Sequence, residues 1–507
     1  LIPAPALRQA LRFATAGSPW TSGDLIRSEL FSIERLEQHA RSLAAAQRIA
    51  QSPRSRRSLG GRLRRNEAVL LAAYRTLAAA VAENRPVTPA AEWLLDNYHL
   101  VEEQIREIRE DLPPSFYRLL PKLDAEPLRG YPRVFGVAWA FVAHTDSRFD
   151  PETLRRFVRA YQSIEPLTIG ELWAVAITLR IVLIENLRRA AASIVANRAA
   201  RQDADAVADR LLGMAGAAAE PDALLRWAAK GETIAPAFMV QLVQRLRDQD
   251  PIVTPALLWL ERRLTSQGTT SDRIVYDELQ KQGASNVTVR NIITSMRLLS
   301  DLDWAEFFES VSLVDESLRG ASDFAAMDFP TRNSYRAAVE QIARGANIPE
   351  LAVARAALAA AGAATTPRAA DPGYHLIADG RRAFEDSLGF RTTLRSWTRR
   401  FAVRRGVGGY VVAISLLGGL VLGTALSLPG IRGIDTVRLA LLGLLGCIPA
   451  LDAAVALVNR IAARCFGATT LPALALRGGI PADLKTLVVV PALLTTRAAL
   501  EAQIDRL

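Results

Sequence analysis

Cysteine is nearly absent. Only Cys447 and Cys465 occur in 507 residues, which excludes a disulfide framework and any zinc module built on clustered thiolates, and fits a reducing compartment. Four histidines are too few for a rich metal site. Lysine is confined to Lys122, Lys230, Lys281 and Lys485, so almost all of the positive charge is arginine. Nothing at the start resembles a secretory leader with successive basic, apolar and small-residue regions, so secretion is not expected. Position 1 is Leu1 rather than Met, and an initiator stretch is expected to precede it. Alternation of apolar and polar residues is unconvincing before residue 480, so strands are not expected there.

What is present points to a folded, largely helical chain. The apolar fraction is 50% and the charged fraction 22%, a balance that neither a disordered chain nor a bundle made only of membrane spans would show. At roughly 150 residues per domain, the length suggests about three structural units. Basic residues outnumber acidic ones by 62 to 52, a net charge of +10 that allows phosphate-rich partners or an anionic membrane face without requiring either.

Between about Gly23 and Leu112 the apolar positions recur at helical spacing: Ile26, Leu30, Ile33; then Leu70, Tyr74, Leu77, Val81; then Leu94, Tyr98, Val101, Ile105, Ile108. This predicts three amphipathic helices. Thr88-Pro89 supplies an N-cap and first-turn proline for the third, and Leu112-Pro113-Pro114 stops it. Between the first two, Ser52 to Asn66 carries six arginines around Gly60-Gly61 and reads as a basic loop. A solvated connection is the simplest reading; lipid headgroups are an alternative partner, and nucleic acid is not expected for want of an aromatic platform or a recognition helix.

Asp150-Pro151 and the capping box Thr168-x-x-Glu171 each open a helix. The second runs from Leu172 to Leu187, and Arg180 and Glu185 interrupt its apolar run, so a buried soluble helix is expected rather than a span. Helical periodicity continues to about Leu318, and Ala359 to Pro372, with Gly362 and Pro367, reads as a linker.

Val407 to Pro429 is a run of 23 residues without a charge, long enough at a rise of about 1.5 Å per residue to cross a hydrocarbon core. Leu439 to Val458, interrupted only by Asp452, is its partner across the short Gly430 to Arg438 turn. Arg395, Arg399, Arg400, Arg404 and Arg405 precede the first span, and Arg460 and Arg464 follow the second. The positive-inside rule then places both flanks in the cytoplasm and makes the pair a hairpin. Asp452 lies near a helix end, where snorkelling or pairing accounts for it better than function, and Gly419-x-x-x-Gly423 would permit close helix approach.

Beyond Arg477 the character changes. Thr486 to Val490 is a β-branched apolar run ending at Pro491, followed by Thr495-Thr496 and a helical stretch to Leu507. This reads as the first βα unit of a nucleotide-binding α/β domain, with Pro491, Ala492 and Leu493 at the strand end where a ligand would sit.

Several blocks resemble the amino-terminal part of the bacterial cyclic β-1,2-glucan synthases. They are TPAAEWLLDNYHLVEEQIREIREDLP at 88 to 113, YPRVFGVAWAFVAHTDSRFDPE at 131 to 152, LTIGELWAVAITLRIVLIENLRR at 167 to 189, MDFPTRNSYRAAVEQIAR at 327 to 344, GYHLIADGRRAFE at 373 to 385 and TLVVVPALLTT at 486 to 496. The resemblance implies a multi-pass enzyme of the bacterial inner membrane, several times longer than this chain, whose GT-A-like domain uses UDP-glucose and a divalent metal, Mg or Mn. It names UDP as the ligand of Pro491, Ala492 and Leu493, and nascent β-1,2-glucan as a further partner.

No residue here qualifies for the transfer chemistry itself. Asp203-Ala204-Asp205 and Asp301-Leu302-Asp303 copy the family's short acidic motif as strings, but in helical context before the first strand. Leu225-Arg226-Trp227 has Ala223 where related synthases carry Gln. His144, Asp146 and Asp150 would suit a metal as ligand types, yet capping and turn formation account for them better. His39 and His99 sit within amphipathic helices, where packed or surface roles are expected. Trp93, Trp139 and Trp173 are expected as core anchors rather than sugar platforms, and Glu185 and Arg180 as polar contacts of a helical core.

The expected organisation is therefore a mainly α chain. Residues 1–400 form an all-α cytoplasmic region, 401–461 a transmembrane hairpin, 462–484 a linker and 485–507 the start of a glycosyltransferase domain. The expected function is that of the membrane-anchoring segment of a processive glucosyltransferase, inactive alone and without a cofactor of its own. The alternative is a self-standing membrane-tethered helical scaffold or regulator.

Overall fold

A computed structural model describes residues 24–50, 57–214, 220, 222–228, 235–247, 254–266, 268–391, 394–427, 435–466, 471–476, 478–479, 482, 485 and 496–504. The chain divides into two compact units, Leu1–Leu313 and Val314–Leu507. Helix dominates both. Among the described residues β-structure is limited to the isolated bridges Ile49 to Leu123, Lys122 to Pro132 and Met327 to Leu474. The run Thr486 to Val490, expected as a strand, lies outside the described residues, as do Pro491, Ala492 and Leu493.

The first unit contains α1 (Ile33–Ala46), α2 (Leu59–Ala82), α3 (Pro89–Asp96), α4 (Tyr98–Asp111), α5 (Pro114–Leu119), α6 (Arg133–His144), α7 (Pro151–Gln162) and α8 (Ile169–Leu212). After these come α9 (Ala223–Ala228), α10 (Pro236–Leu246), α11 (Thr254–Ser266), α12 (Ser271–Asp301) and α13 (Trp304–Val311). The spine is α8. Its 44 residues open at the predicted capping box, with the Thr168 side chain on the Glu171 N–H and the Glu171 carboxylate on the Thr168 N–H, and close at Gly213 in the left-handed region at φ 64°. The helix predicted to stop at Leu187 thus runs on to Leu212, because Ala-rich sequence carries no breaker before Gly213. Every residue from Ile169 to Ala192 except Trp173 is buried, as α2, α3, α4, α6, α12 and α13 pack around it. A helix with apolar positions on all faces has no stable solvent side, so the fold encloses it. Its carboxy-terminal half anchors a satellite core in which Val207 and Leu211 meet Leu224, Trp227, Phe238, Leu242 and Leu260, with Trp227 stacked on Phe238 at 4.0 Å.

Further local expectations are corrected, beginning with Ile26 and Leu30, which precede α1 rather than lie on it. The third predicted helix is two helices, α3 and α4, parted at Asn97, whose amide donates back to the Trp93 carbonyl at 2.9 Å. The basic stretch Ser52 to Asn66 is not all loop: Ser58 caps the Gly61 N–H at 3.0 Å and α2 begins at Leu59. Arg62, Arg64 and Arg65 are therefore helical residues, and Gly60 and Gly61, read as loop, fill the first turn.

The second unit holds α14 (Leu313–Ala321), α15 (Phe329–Ala346), α16 (Glu350–Gly362), α17 (Pro372–Leu376), α18 (Arg381–Ser387), α19 (Leu394–Leu426), α20 (Thr436–Phe466) and α21 (Arg497–Ile504). The supposed linker from Ala359 is helical up to Gly362, since alanine favours helix, and the connection is the short stretch before Pro372. Asp315 and Arg336 form a buried fork of 3.0 and 2.5 Å between α14 and α15. α19 is broken at Gly406, where φ 51° and ψ −139° are accessible to glycine alone without strain.

Candidate functional site

Two features stand apart from ordinary core packing. One is the helical hairpin of α19 and α20. Arg404–Leu426 and Thr436–Arg464 are each long and apolar enough to cross a membrane. Their outward side chains have no protein cover: Leu416 is 71% exposed and Leu444 73%. A contiguous apolar surface of this kind is unfavourable in water and ordinary in lipid. The two helices pack on each other through Gly418, where an added Cβ would lie 3.0 Å from Leu451 Cδ2, and Gly446, where it would lie 2.9 Å from Leu422 Cδ1. Tyr410 donates to Asn459 Oδ1 at 2.8 Å near the flanking end of the pair. Gly419 and Gly423, read from the sequence as permitting close helix approach, are not at this contact, and a Cβ at either would meet nothing within 4 Å. The helical phase turns these two away from α20. Asp452 is exposed on the hairpin surface.

Beyond α20 the chain returns to the base of α15. Asp328 N–H donates to the Ala473 carbonyl at 3.0 Å, Ala475 N–H to the Ala326 carbonyl at 2.8 Å, and Ala473 N–H to Thr331 Oγ1 at 2.8 Å. The stretch 471–476, read as part of a linker, is thus strapped to residues that precede the first apolar helix.

The second feature is a buried arginine cluster in the first unit. Glu185 of α8 is 2% exposed and receives Arg62 of α2 through Nε at 2.9 Å and Nη2 at 2.8 Å, Arg188 at 2.9 Å, Arg189 at 3.0 Å and the Asn66 amide at 2.8 Å. Arg188 and Arg189 reach it because residues three and four apart share a helix face. Arg62 also donates to the Tyr131 hydroxyl at 3.2 Å, Arg189 donates to the Asp24 carbonyl at 2.8 Å, and both guanidiniums lie over the Trp139 ring. Burial alone would raise the Glu185 carboxyl, but the three guanidiniums outweigh it and hold the group far below the usual carboxylate range. Arg189 is pulled below the ordinary guanidinium range, first by burial and then by Arg188 and Arg62, against the pull of Glu185. Arg62 goes the other way: burial lowers it, and Glu185 more than compensates.

The remaining candidates take structural places. Arg180 pairs with Glu107 at 2.8 Å and with Gln104 at 2.9 Å, so it and Glu185 are both core polar groups, as expected, but with separate partners. Arg133 and Glu171 form a fully buried fork of 2.8 and 2.5 Å that also closes the capping box. Asp150 caps α7 through the Thr153 N–H at 2.7 Å, Asp146 accepts from Thr288 at 2.7 Å, and His144 meets the Glu29 carbonyl and stacks on Phe31. Their expected capping and turn roles hold. His39 lies against His144 at 4.5 Å; burial and then that neighbour lower its pKa. Trp139 is buried and Trp173 stacks on Phe308 at 4.5 Å, as core anchors do. Asp205 lies on α8, 2.8 Å from the Gln241 amide, and Asp303 caps α13 through the Ala305 and Glu306 N–H groups. Among the described residues no group of three or more His, Cys, Asp or Glu could hold a metal ion.

Comparison with known proteins bears out the similarity read from the ordered blocks. The chain is 36% identical over 487 residues to the cyclic beta-(1,2)-glucan synthase NdvB of Rhizobium meliloti (strain 1021). That alignment takes in 94% of this chain and 17% of the relative, so the chain spans about a sixth of the length of the curated protein it matches. No protein-family profile matches the chain.

Proposed function

We propose that this chain is the amino-terminal, membrane-anchoring portion of a processive glucosyltransferase that makes cyclic β-1,2-glucan from UDP-glucose in the bacterial inner membrane. The observation that carries this reading is the 36% identity to a glucan synthase running across 94% of the chain. In this reading the hairpin crosses the membrane twice, with the large helical region and the chain beyond Arg464 in the cytoplasm. Arg404 and Arg405 before the first span and Arg460 and Arg464 after the second favour that orientation. The strap supports the hairpin rather than its direction, because hydrogen bonds of 2.8 to 3.0 Å between residues 326–331 and 473–475 are compatible with two flanks on one side of a membrane.

Transfer itself belongs, on this reading, to parts of the longer enzyme outside residues 1–507. The acidic pairs available here are already engaged, Asp205 with Gln241 and Asp303 as a helix cap, so the Mg or Mn ion is assigned to that other part. Thr486 to Val490 would form the first strand of the transferase domain, and Pro491, Ala492 and Leu493 would meet the uridine, since ligands of open α/β sheets bind beyond the carboxyl ends of the strands. Leu493→Asp in the longer enzyme should then weaken UDP-glucose binding while leaving membrane insertion intact. The chain expressed alone, in cells lacking an endogenous synthase, should insert into the inner membrane and transfer no glucose from UDP-glucose. Glucan made by the purified 507-residue chain would overturn this division of labour.

A further inference from the structure

Asp452 is the single charged residue between Leu439 and Val458, and it lies on the outside of the hairpin. Ala450 and Ala454 are the buried residues of this part of α20, and Asp452, two residues from each, sits about half a turn round the helix from both. It is exposed, and among the described residues it has no hydrogen-bond or ion-pair partner. The stretch between Arg438 and Asn459 covers about 30 Å, the thickness of a hydrocarbon core, and α20 runs on beyond it to Phe466. Asp452 therefore lies about 10 Å inside the carboxy-terminal edge of that core rather than at a helix end. With a single methylene, an aspartate cannot snorkel over such a distance as lysine and arginine do. An acid left unpaired in lipid is costly, and one that is retained there marks a partner.

A second acceptor sits on the same stripe. Pro449 stands inside α20, and because proline has no N–H, the Leu445 carbonyl loses the donor it would have found one turn on. Leu445 and Ile448 are 65% and 73% exposed, so the described residues leave this turn uncovered. Helical side chains lean toward the amino terminus of their helix, which brings a carboxylate at 452 back over Ile448 and Pro449, beside that carbonyl. Two acceptors at a depth that water does not reach call for a side chain with several N–H groups and a positive charge. A second copy of the hairpin cannot supply it, since Val407 to Pro429 and Leu439 to Val458 contain no Arg, Lys or His. Lipid headgroups lie outside the core. We infer that this face of α20 packs against a further membrane helix, from outside residues 1–507, that presents an arginine or lysine to Asp452 and to the Leu445 carbonyl. The inference rests on the proposed membrane crossing of the hairpin and on a longer enzyme, for which the relative leaves about five sixths of its length outside the matched part.

The test uses the longer enzyme in its own membrane and, beside it, the 507-residue chain in phosphatidylcholine vesicles. A photoreactive benzoylphenylalanine at Ile448, one turn from Asp452, should cross-link in the longer enzyme to a peptide from outside residues 1–507. Mass spectrometry should find in that peptide an apolar run that carries arginine or lysine. Asp452→Leu should lower the yield about tenfold, as loss of a polar contact between membrane helices does. Asp452→Glu, which keeps the charge and guards against misfolding of the first variant, should retain most of it. Asp452→Leu should also lower the melting temperature of the longer enzyme, because the opposite cation is left unpaired, and leave that of the isolated chain unchanged or higher, because no partner is there to lose. Cross-links to lipid alone, or to a second copy of residues 1–507, would overturn the inference. So would equal falls in melting temperature in the two proteins, which would make Asp452 a structural group of the hairpin itself. A reporter after residue 434 keeps the inference apart from the reading beneath it: an external signal with cross-links to lipid alone removes the docking face and leaves the hairpin, whereas a cytoplasmic signal removes both.

Discussion

Glu185 is the residue on which the core of the first unit turns. It is 2% exposed and joins α2 to α8 through Arg62, so neutralising it removes the carboxylate that three buried guanidiniums share. Breaking a buried pair from one side costs on the order of 3–5 kcal/mol, and Glu185→Gln should destabilise the protein by about that amount in thermal or denaturant unfolding. The carboxyl titrates below its ordinary value of 4.5 in the folded protein. The stabilisation is therefore complete above about pH 4.5 and is lost as pH falls toward the depressed folded value, because the unfolded state then binds the proton first. Glu185→Gln should remove that part of the acid-unfolding limb. Glu185 and Arg180 could be read from the sequence as polar groups of a helical core, because charges that interrupt an apolar helical run must be paired where the run is buried. Their partners were not legible. Arg62 lies 123 residues from Glu185, in a stretch whose arginines and glycines resemble a loop, and nothing local signals a contact at that distance.

At the scale of the element, punctuation in the sequence was a sound guide where a side chain satisfies its own backbone. Thr88 with Pro89, Asp150 with Pro151 and Thr168 with Glu171 all open helices as read, because capping is a local reaction between residues three apart. Breaks without such a signal were missed, as at Asn97, which sits within a continuous helical period. The apolar hairpin shows the same limit. Gly419 and Gly423 have the spacing of a close-approach motif, yet Gly418 and Gly446 make the approach, since which glycine faces the partner depends on the phase and tilt of two helices. Gly418→Ile should therefore separate α19 from α20 by forcing a side chain against Leu451, whereas Gly419→Ile should leave the pair intact. Cross-linking by a short bis-maleimide between cysteines placed at Tyr410 and Asn459, whose side chains meet, would measure it: strong cross-linking in the Gly419 variant and loss in the Gly418 variant.

For the whole molecule, composition and periodicity were enough to identify a mainly helical chain with two apolar helices, because helical amphipathicity is written at short range. The division at Leu313 was not legible, since it depends on contacts between distant helices. The proposed topology rests on the strap between residues 326–331 and 473–475 together with the arginines that flank the spans. Reporter fusions after residues 390 and 475 should both read as cytoplasmic, and a fusion after 434 as external. A cytoplasmic signal at 434 with an external one at 475 would reject the hairpin.

The proposed role in glucan synthesis can be put to one direct measurement. The matched 94% of this chain would replace the corresponding segment of the Rhizobium meliloti synthase, in cells lacking that enzyme, and membranes would be assayed for cyclic β-1,2-glucan formed from labelled UDP-glucose. The account predicts membrane-bound synthesis by the chimera. A chimera that accumulates in the membrane, unfolds at the temperature of the parent enzyme and still forms no glucan would contradict it.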